Sequence, residues 1–425
     1  MINGCDGCLN PSQFELEIPH NNTKGTHNGL EPIVKHLEKI FTNPEYPNGS
    51  PVLSQSMKES GKSRADLWAF GALLGALGAM RNNNEACDNE DGCILAKGQD
   101  GCKIQWPSLP KFQTGRVDCD PGDNADEAWH SQFKENHPNP HGNGIETVDF
   151  YKTHFNLNAR EAIALTEGAH SLGNFRAKIS GFVYQWTKHQ TRLFNNQMLQ
   201  HISNKPKYHI ECKSMKTGPK GTYLIGDEHG NPSETRWGVM KNPGAASQIY
   251  QWMLEEKRCP GGVNSFNNAG NNDCSVINDN SSPNPNLAEK YAKANAKCCT
   301  GRVLTEFCQP SCVKQHFSDQ TALSSDVGFY YHFETASDGK PYGCQGVMNK
   351  DWWKKWAKGI KCEKEEYAPD GEPLYQIVEE QAESNDAMMK DFAPALEKMV
   401  ENGYQNRQES LTQVPAEWYM HVAGF

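Results

Sequence analysis

The stretch EAIALTEGAHSLGN, residues Glu161–Asn174, decides the fold that we predict for this chain. Asn158 stands three residues before Glu161, the spacing of a capping box, in which two side chains satisfy free N–H groups at a helix start. The apolar residues that follow predict a helix that continues to the small residue Gly168. A small residue at that place would let a bulky group approach the backbone beside His170.

His170 has two interpretations on this stretch alone. A histidine at the end of a helix is most often a packed or capping residue. It is also a common metal ligand, so an axial ligand to a metal cofactor is the alternative. The rest of the chain has to decide between them.

Composition limits the classes of function. The chain has 425 residues, enough for one large domain or two to three smaller ones, and a formal net charge of -10. This charge argues against nucleic acid or an anionic membrane as the main partner, because both attract a basic surface. The mean hydropathy of -0.76, with many glycines and prolines, predicts a large share of loop.

Cysteine usage is heavy, with fifteen in the chain, and most of them lie in loop-like sequence. Cysteines in such loops predict disulfides and an oxidising compartment, so we expect a secreted, extracellular glycoprotein. Three glycosylation sequons agree with this, at Asn21, Asn48 and Asn280. A zinc-binding or thiol-based redox protein is a less favoured interpretation, because no second pair with ligand spacing follows Cys5 and Cys8.

Hydrophobic periodicity predicts helices in both halves of the chain. The predicted helices are Asn28–Phe41, Ser63–Met80, Gly144–Phe155, Asn158–Ala169, a helix start at Asp326, and a final long helix over Ile377–Tyr404. Residues 205–315 show little periodicity and are rich in Asn, Gly, Pro, Lys and Cys. We therefore predict three parts: 1–204, a disulfide-stapled insertion at 205–315, and 316–425.

A series of motifs follows in a specific order along these parts. They are GCDGCLN (4–10), NGL (28–30), SRADLWAFGALLGA (63–76), GRVD (115–118), GAHSLG (168–173), SGFVYQW (180–186), LSSD (323–326) and MMKDFAPALEKMVENG (388–403). In this order they resemble the plant-type haem peroxidase superfamily, which includes the ascorbate and cytochrome c peroxidases. The resemblance covers most of residues 4–200 and 317–404 but not the insertion.

The resemblance implies an all-α, two-lobed helical domain around haem b. His170 would be the proximal iron ligand, Asp326 would accept a hydrogen bond from its other ring nitrogen, and Trp186 would stack nearby. A carboxylate behind a ligating imidazole fixes its orientation and makes it a stronger donor, which lowers the iron potential. With these partners in sequence order, the ligand interpretation of His170 is favoured over the packed histidine.

The resemblance also implies residues on the other haem face and beside the ligand. Asn28 resembles the asparagine that orients a distal histidine. Asp6 and Ser171 stand where secreted members of the superfamily bind calcium, so calcium is a second expected cofactor. One residue departs from the pattern: Glu167 is extra between Glu161 and His170, and one inserted residue turns a helix by about 100° unless a local bulge absorbs it.

The distal arginine and histidine of the family precede the GCDG turn, which here begins at Gly4. We therefore expect a longer natural chain that carries a signal peptide, the distal helix and a sixteenth cysteine. The expected function is a secreted peroxidase in which hydrogen peroxide oxidises the iron and small reducing substrates return it in one-electron steps. The alternative is a catalytically inactive extracellular structural or binding protein, with the insertion as its contact surface for a protein partner.

Overall fold

The computed structural model describes part of the chain. The described residues are 31–42, 59–88, 102–118, 138–175, 182, 186–187, 192–203, 237–241, 250–257, 315–337, 339–343, 362–402, 404 and 411–415. Most of the predicted insertion lies outside them, and so do Asp6 and Asn28. The predicted division of the chain into three parts stays a prediction.

Helices dominate these residues. They are α1 (Glu31–Thr42), α2 (Arg64–Asp88), α3 (Gly144–Phe155), α4 (Ala159–Ala169), α5 (Gln197–Ile202), α6 (Ser324–Val327), α7 (Leu374–Glu383) and α8 (Asn385–Glu401). The mostly helical class predicted from the sequence is therefore confirmed. None of the described helices is long and apolar enough to cross a membrane.

Three small antiparallel sheets accompany the helices. Their strands are β1 (Phe112–Thr114), β2 (Trp237–Lys241), β3 (Tyr250–Lys257), β4 (Gln315–Ala322), β5 (Glu334–Thr335), β6 (Pro341–Tyr342) and β7 (Thr412–Val414). The largest sheet has the order β2-β3-β4, and the other two pair β1 with β7 and β5 with β6. The all-α prediction is confirmed only in the coarser form of a mostly helical chain, because these strands pair with partners that local periodicity cannot reveal.

Local sequence signals explain where the helices begin. The Asn143 side chain accepts a hydrogen bond from the backbone of Glu146 at the start of α3. The capping box predicted for α4 is present, with Asn158 and Glu161 bonded in both directions. Both arrangements satisfy N–H groups that a first helical turn leaves without an internal partner.

Two helix predictions differ from the structure. The helix predicted to end at Met80 continues to Asp88, which places Cys87 on α2. The predicted long C-terminal helix is interrupted at Ser384, whose backbone is extended and whose side chain accepts a hydrogen bond from Ala387 N. Serine competes with the helix through this bond, so one apolar pattern becomes the separate helices α7 and α8.

The core is built around α4, which contacts α3, α5, α7 and α8. Its residues are buried along almost the whole helix, and large apolar side chains surround it. The largest fully buried ones include Trp252, Phe194, Phe329, Phe333, Leu77, Met80 and Ile163. A helix that is buried on nearly every side holds its C-terminal residue, His170, in a fixed position.

Candidate functional site

His170 caps the C-terminal end of α4. Its backbone N–H donates to Thr166 O at 2.9 Å, so the helical hydrogen-bond pattern continues up to this residue. The extra residue Glu167 is accommodated within the regular helix. It does not turn His170 away, because the imidazole Nδ1 lies 3.1 Å from Oδ1 of Asp326.

Asp326 is held rigidly in α6. Its side chain is 0% exposed, and its second carboxylate oxygen accepts a hydrogen bond from Leu323 N at 2.7 Å. One oxygen is thus fixed by the backbone while the other faces the imidazole of His170. The predicted partnership between these residues, 156 positions apart, is present in the structure.

The indole of Trp186 stacks on the imidazole of His170. The ring centroids are 3.6 Å apart and the planes differ by 9°. The Thr187 hydroxyl donates to Ser171 O at 2.9 Å, which joins the segment carrying the indole to the segment carrying the imidazole. Phe175 covers the indole further, at 4.1 Å between centroids. The ring of His170 is therefore oriented by a carboxylate and by an aromatic face.

A contact between two glycines places α6 beside α3. A Cβ atom at Gly144 would overlap the carbonyl group of Gly328, and one at Gly328 would overlap the backbone of Gly144. Only glycine at both positions allows this approach of two backbones. Ser324 is held by the same junction, since its N–H donates to Pro140 O and its hydroxyl accepts from Trp252 Nε1 at 3.1 Å.

Sequence reasoning missed both glycines as site-forming residues. The signal present was a glycine at one end of each helix, Gly144 at the start of α3 and Gly328 after the end of α6, but a single sequence does not show that the two meet.

The bulky group expected beside the small residues before His170 is an aromatic pair. A Cβ atom at Gly168 would lie 2.8 Å from Phe392 and 3.1 Å from Phe194. These two rings contact each other at 4.6 Å between centroids. The absence of a side chain at Gly168 thus lets Phe392 of α8 pack closely against the end of α4.

The arrangement would leave one imidazole nitrogen of His170 available to bind a metal. When Nδ1 donates its hydrogen to Asp326, Nε2 carries a lone pair that can bind a metal. The side chain of His170 is 25% exposed, whereas Asp326 behind it is fully buried. A buried carboxylate behind a partly accessible imidazole is the outer-shell arrangement that orients ligating histidines in metalloproteins.

A second buried carboxyl group lies close to this pair. Glu167 is 0% exposed, and neither of its oxygens has a hydrogen-bond partner in the described part of the chain. Burial raises its pKa well above the usual value, and the negative charge of Asp326 raises it further. The pKa of Tyr151 on α3 is raised too, first by burial and also by the charges of Asp326 and Glu167.

The other predicted site residues have different positions. Ser171 is buried, and its hydroxyl donates to Gly168 O at 2.7 Å. Its predicted contact with cofactor or calcium stays a prediction. Asn28 and Asp6 lie outside the described residues. Within the described ranges, no group of three or more His, Cys, Asp or Glu residues could hold a metal ion, whereas an axial haem ligand requires only one side chain.

Comparison with known proteins identified no relative, so the geometry around His170 is the main evidence about function. No protein-family model matches the chain. A comparison with curated proteins also found no match.

Proposed function

We propose that the protein is a secreted haem peroxidase that uses hydrogen peroxide to oxidise small reducing substrates in one-electron steps. The observation that carries the proposal is the orientation of His170 by the Asp326 carboxylate and the Trp186 indole. The expected cofactor is haem b, with His170 Nε2 as the iron ligand. Its iron supplies the redox chemistry with peroxide.

Asp326 would act on the cofactor through His170. Its buried carboxylate accepts the Nδ1 hydrogen, which increases electron density on the imidazole and makes Nε2 a stronger donor. The backbone hydrogen bond from Leu323 keeps the carboxylate in place, so this effect does not depend on a mobile side chain.

Trp186 would serve a different purpose. Its indole lies parallel to the imidazole and prevents rotation of the ligand ring. It is also an oxidisable side chain in direct contact with that ring, which suits one-electron exchange with a reducing substrate. Both roles rest on the same stacking geometry.

Secretion is supported by the cysteines. Cys87 at the end of α2 forms a disulfide with Cys102, and Cys362 is disulfide-bonded as well. Disulfides persist in oxidising compartments and are rare in the cytosol.

An absorption spectrum of the native purified protein, before and after addition of peroxide, tests the proposal. We expect a haem Soret band that shifts when peroxide is added. A Soret band that does not shift would favour the alternative, a haem-binding extracellular protein without peroxidase activity. Absence of a Soret band would overturn the ligand role of His170.

Two matched variants locate the haem ligand. His170→Ala should abolish the Soret band, and Asp326→Asn should weaken haem binding by about 10–100-fold. His332→Ala is the control, because His332 also pairs with a carboxylate, Glu365, at 2.9 Å. Loss of haem in the control but not in His170→Ala would contradict the proposed ligand.

A further inference from the structure

Glu167 is a buried acidic residue that the proposed function does not use. It precedes His170 by three residues, so the two lie on the same side of α4, close to one helical turn apart. Its side chain is fully buried and both carboxyl oxygens are unpaired in the described part of the chain. A buried ionised carboxylate without a partner is strongly unfavourable, so its charge state has to be explained.

The hydroxyl group next to Glu167 in the sequence, that of Thr166, donates its hydrogen elsewhere. The Thr166 hydroxyl donates to Ala162 O at 2.8 Å within α4. The Tyr151 hydroxyl group interacts with the side chain of Thr166. The Thr166 hydroxyl is therefore engaged with another acceptor, and neither Glu167 oxygen has a hydrogen-bond partner among the described residues.

The charged group that faces Glu167 is Asp326 on α6, and it is also acidic. Tyr151 on α3 is a further titratable neighbour, and it too would be negative if ionised. Each of these influences opposes a negative charge on Glu167. The pKa of Glu167 is raised by its burial first and by Asp326 second, in agreement with this geometry.

We propose that Glu167 holds a proton in the folded protein at neutral pH, and that its ionisation at alkaline pH loosens the contact between His170 and Asp326. The proton makes Glu167 a neutral acid and leaves Asp326 as the one negative charge behind the imidazole. Ionisation places a second negative charge beside Asp326 in a site that excludes water. The repulsion is relieved when the end of α4 moves away from α6 and water enters.

Proton binding by Glu167 makes the stability of the folded protein depend on pH. An unfolded glutamate has a pKa of about 4.3, and the folded value of Glu167 is higher, so the folded protein binds the proton more tightly. Its contribution to stability is complete below the unfolded pKa and is lost as the pH rises through the folded pKa. Stability should therefore fall towards alkaline pH because of this residue.

The test compares the unfolding of four proteins as a function of pH. They are the wild type, Glu167→Gln, Glu167→Leu and the control Glu366→Gln, which changes an exposed carboxyl group. Between about pH 6 and about pH 9, the folding equilibrium constant of the wild type should fall relative to that of both Glu167 variants. The fall should be about tenfold for each pH unit by which the folded pKa of Glu167 exceeds about 6. The control should follow the wild type.

A second readout concerns the proposed cofactor and rests on the proposed function. The haem-loaded wild type should release haem to an acceptor protein more readily at about pH 9 than at about pH 6, and Glu167→Gln should show a smaller increase. If no variant retains haem at any pH, the proposed function fails, whereas the unfolding comparison still decides the role of Glu167.

Two outcomes of the unfolding comparison would overturn the inference. The first is the same pH dependence in the wild type and in whichever Glu167 variants fold. The second is a loss of stability in Glu167→Gln at every pH, because that result would mean that the residue is ionised and paired. Agreement between the glutamine and leucine variants would support the inference, since neither side chain can ionise.

Discussion

Asp66 at the start of α2 and Glu167 near the end of α4 are both buried carboxyl groups, but their surroundings are opposite in kind. Asp66 accepts hydrogen bonds from Gly115 N at 3.1 and 3.0 Å and from the Arg116 backbone at 3.1 Å, and the Arg116 guanidinium lies 3.2 Å away. Glu167 has no such donors among the described residues, and its charged neighbour, Asp326, is acidic.

The comparison distinguishes Asp66, which holds segments of the fold together, from Glu167, whose charge we propose to depend on pH. The guanidinium of Arg116 bonds Val400 O at 3.0 and 2.8 Å as well as Asp66, so it connects α2, the GRVD turn and the end of α8. A carboxylate with this many donors has its negative charge stabilised by hydrogen bonds. Glu167 has no hydrogen-bond donor among the described residues, and its neutral form is therefore the more stable one.

The largest expected effect comes from removing the guanidinium of Arg116, which pairs with the buried carboxylate of Asp66. Arg116→Met should destabilise the protein by about 3–5 kcal/mol, because it leaves Asp66 as a buried charge without its ion-pair partner. Urea unfolding at neutral pH measures the change. Lys103→Met is the control, since the ion pair between Lys103 and Asp88 is 61% and 64% exposed and should contribute less than about 1 kcal/mol. Equal losses of stability in the two variants would show that the buried ion pair contributes no more than the exposed one.

A smaller effect is expected from adding one methyl group where α3 and α6 meet, at the contact of Gly144 with Gly328. Gly144→Ala should cost about 1–3 kcal/mol, because the new Cβ atom would overlap the Gly328 backbone and separate α3 from α6. Thermal unfolding measures the loss, and haem affinity should fall with it because Asp326 would move. Gly75→Ala is the matched control: it is open to solvent within α2 and should stabilise the protein by about 0.5–1 kcal/mol. A neutral Gly144→Ala would show that the two helices need not meet so closely.

The smallest expected effect lies at the beginning of α4. Asn158→Ala should cost about 0.5–2 kcal/mol through loss of the helix cap, whereas Asn158→Ser keeps an oxygen acceptor and should lose little. Because the cap is remote from Glu167, the pH dependence of unfolding should not change. If Asn158→Ala removed that pH dependence, the special role of the C-terminal end of α4 would have to be abandoned.

Much of the local structure could be predicted from the sequence. The predicted bounds of α3 were confirmed at both ends, and the capping box of α4 is formed by the predicted residues, Asn158 and Glu161. These features depend on hydrogen bonds between residues close in sequence. The interruption at Ser384 was missed, because an apolar pattern can continue across a residue whose side chain ends the helix.

Part of the candidate site could be predicted as well. His170, Trp186 and Asp326 were selected from the order of motifs, and the structure brings these three side chains together. The calcium prediction, the distal residues and the identity of the reducing substrate stay predictions. Glu167 appeared in the sequence as an extra residue in a helix, and nothing in its local pattern indicates that it lies beside Asp326.

The sequence by itself determined the helices near the site, their caps and the placement of a histidine at the end of α4. The tertiary structure alone decided the pairing of His170 with Asp326, the contact of Gly144 with Gly328 and the isolation of Glu167 from hydrogen-bond donors. Capping and periodicity act over a few residues, whereas these contacts join segments that are far apart in the chain. Their geometry depends on how whole helices pack, which is set by the shape of the core and not by any local pattern.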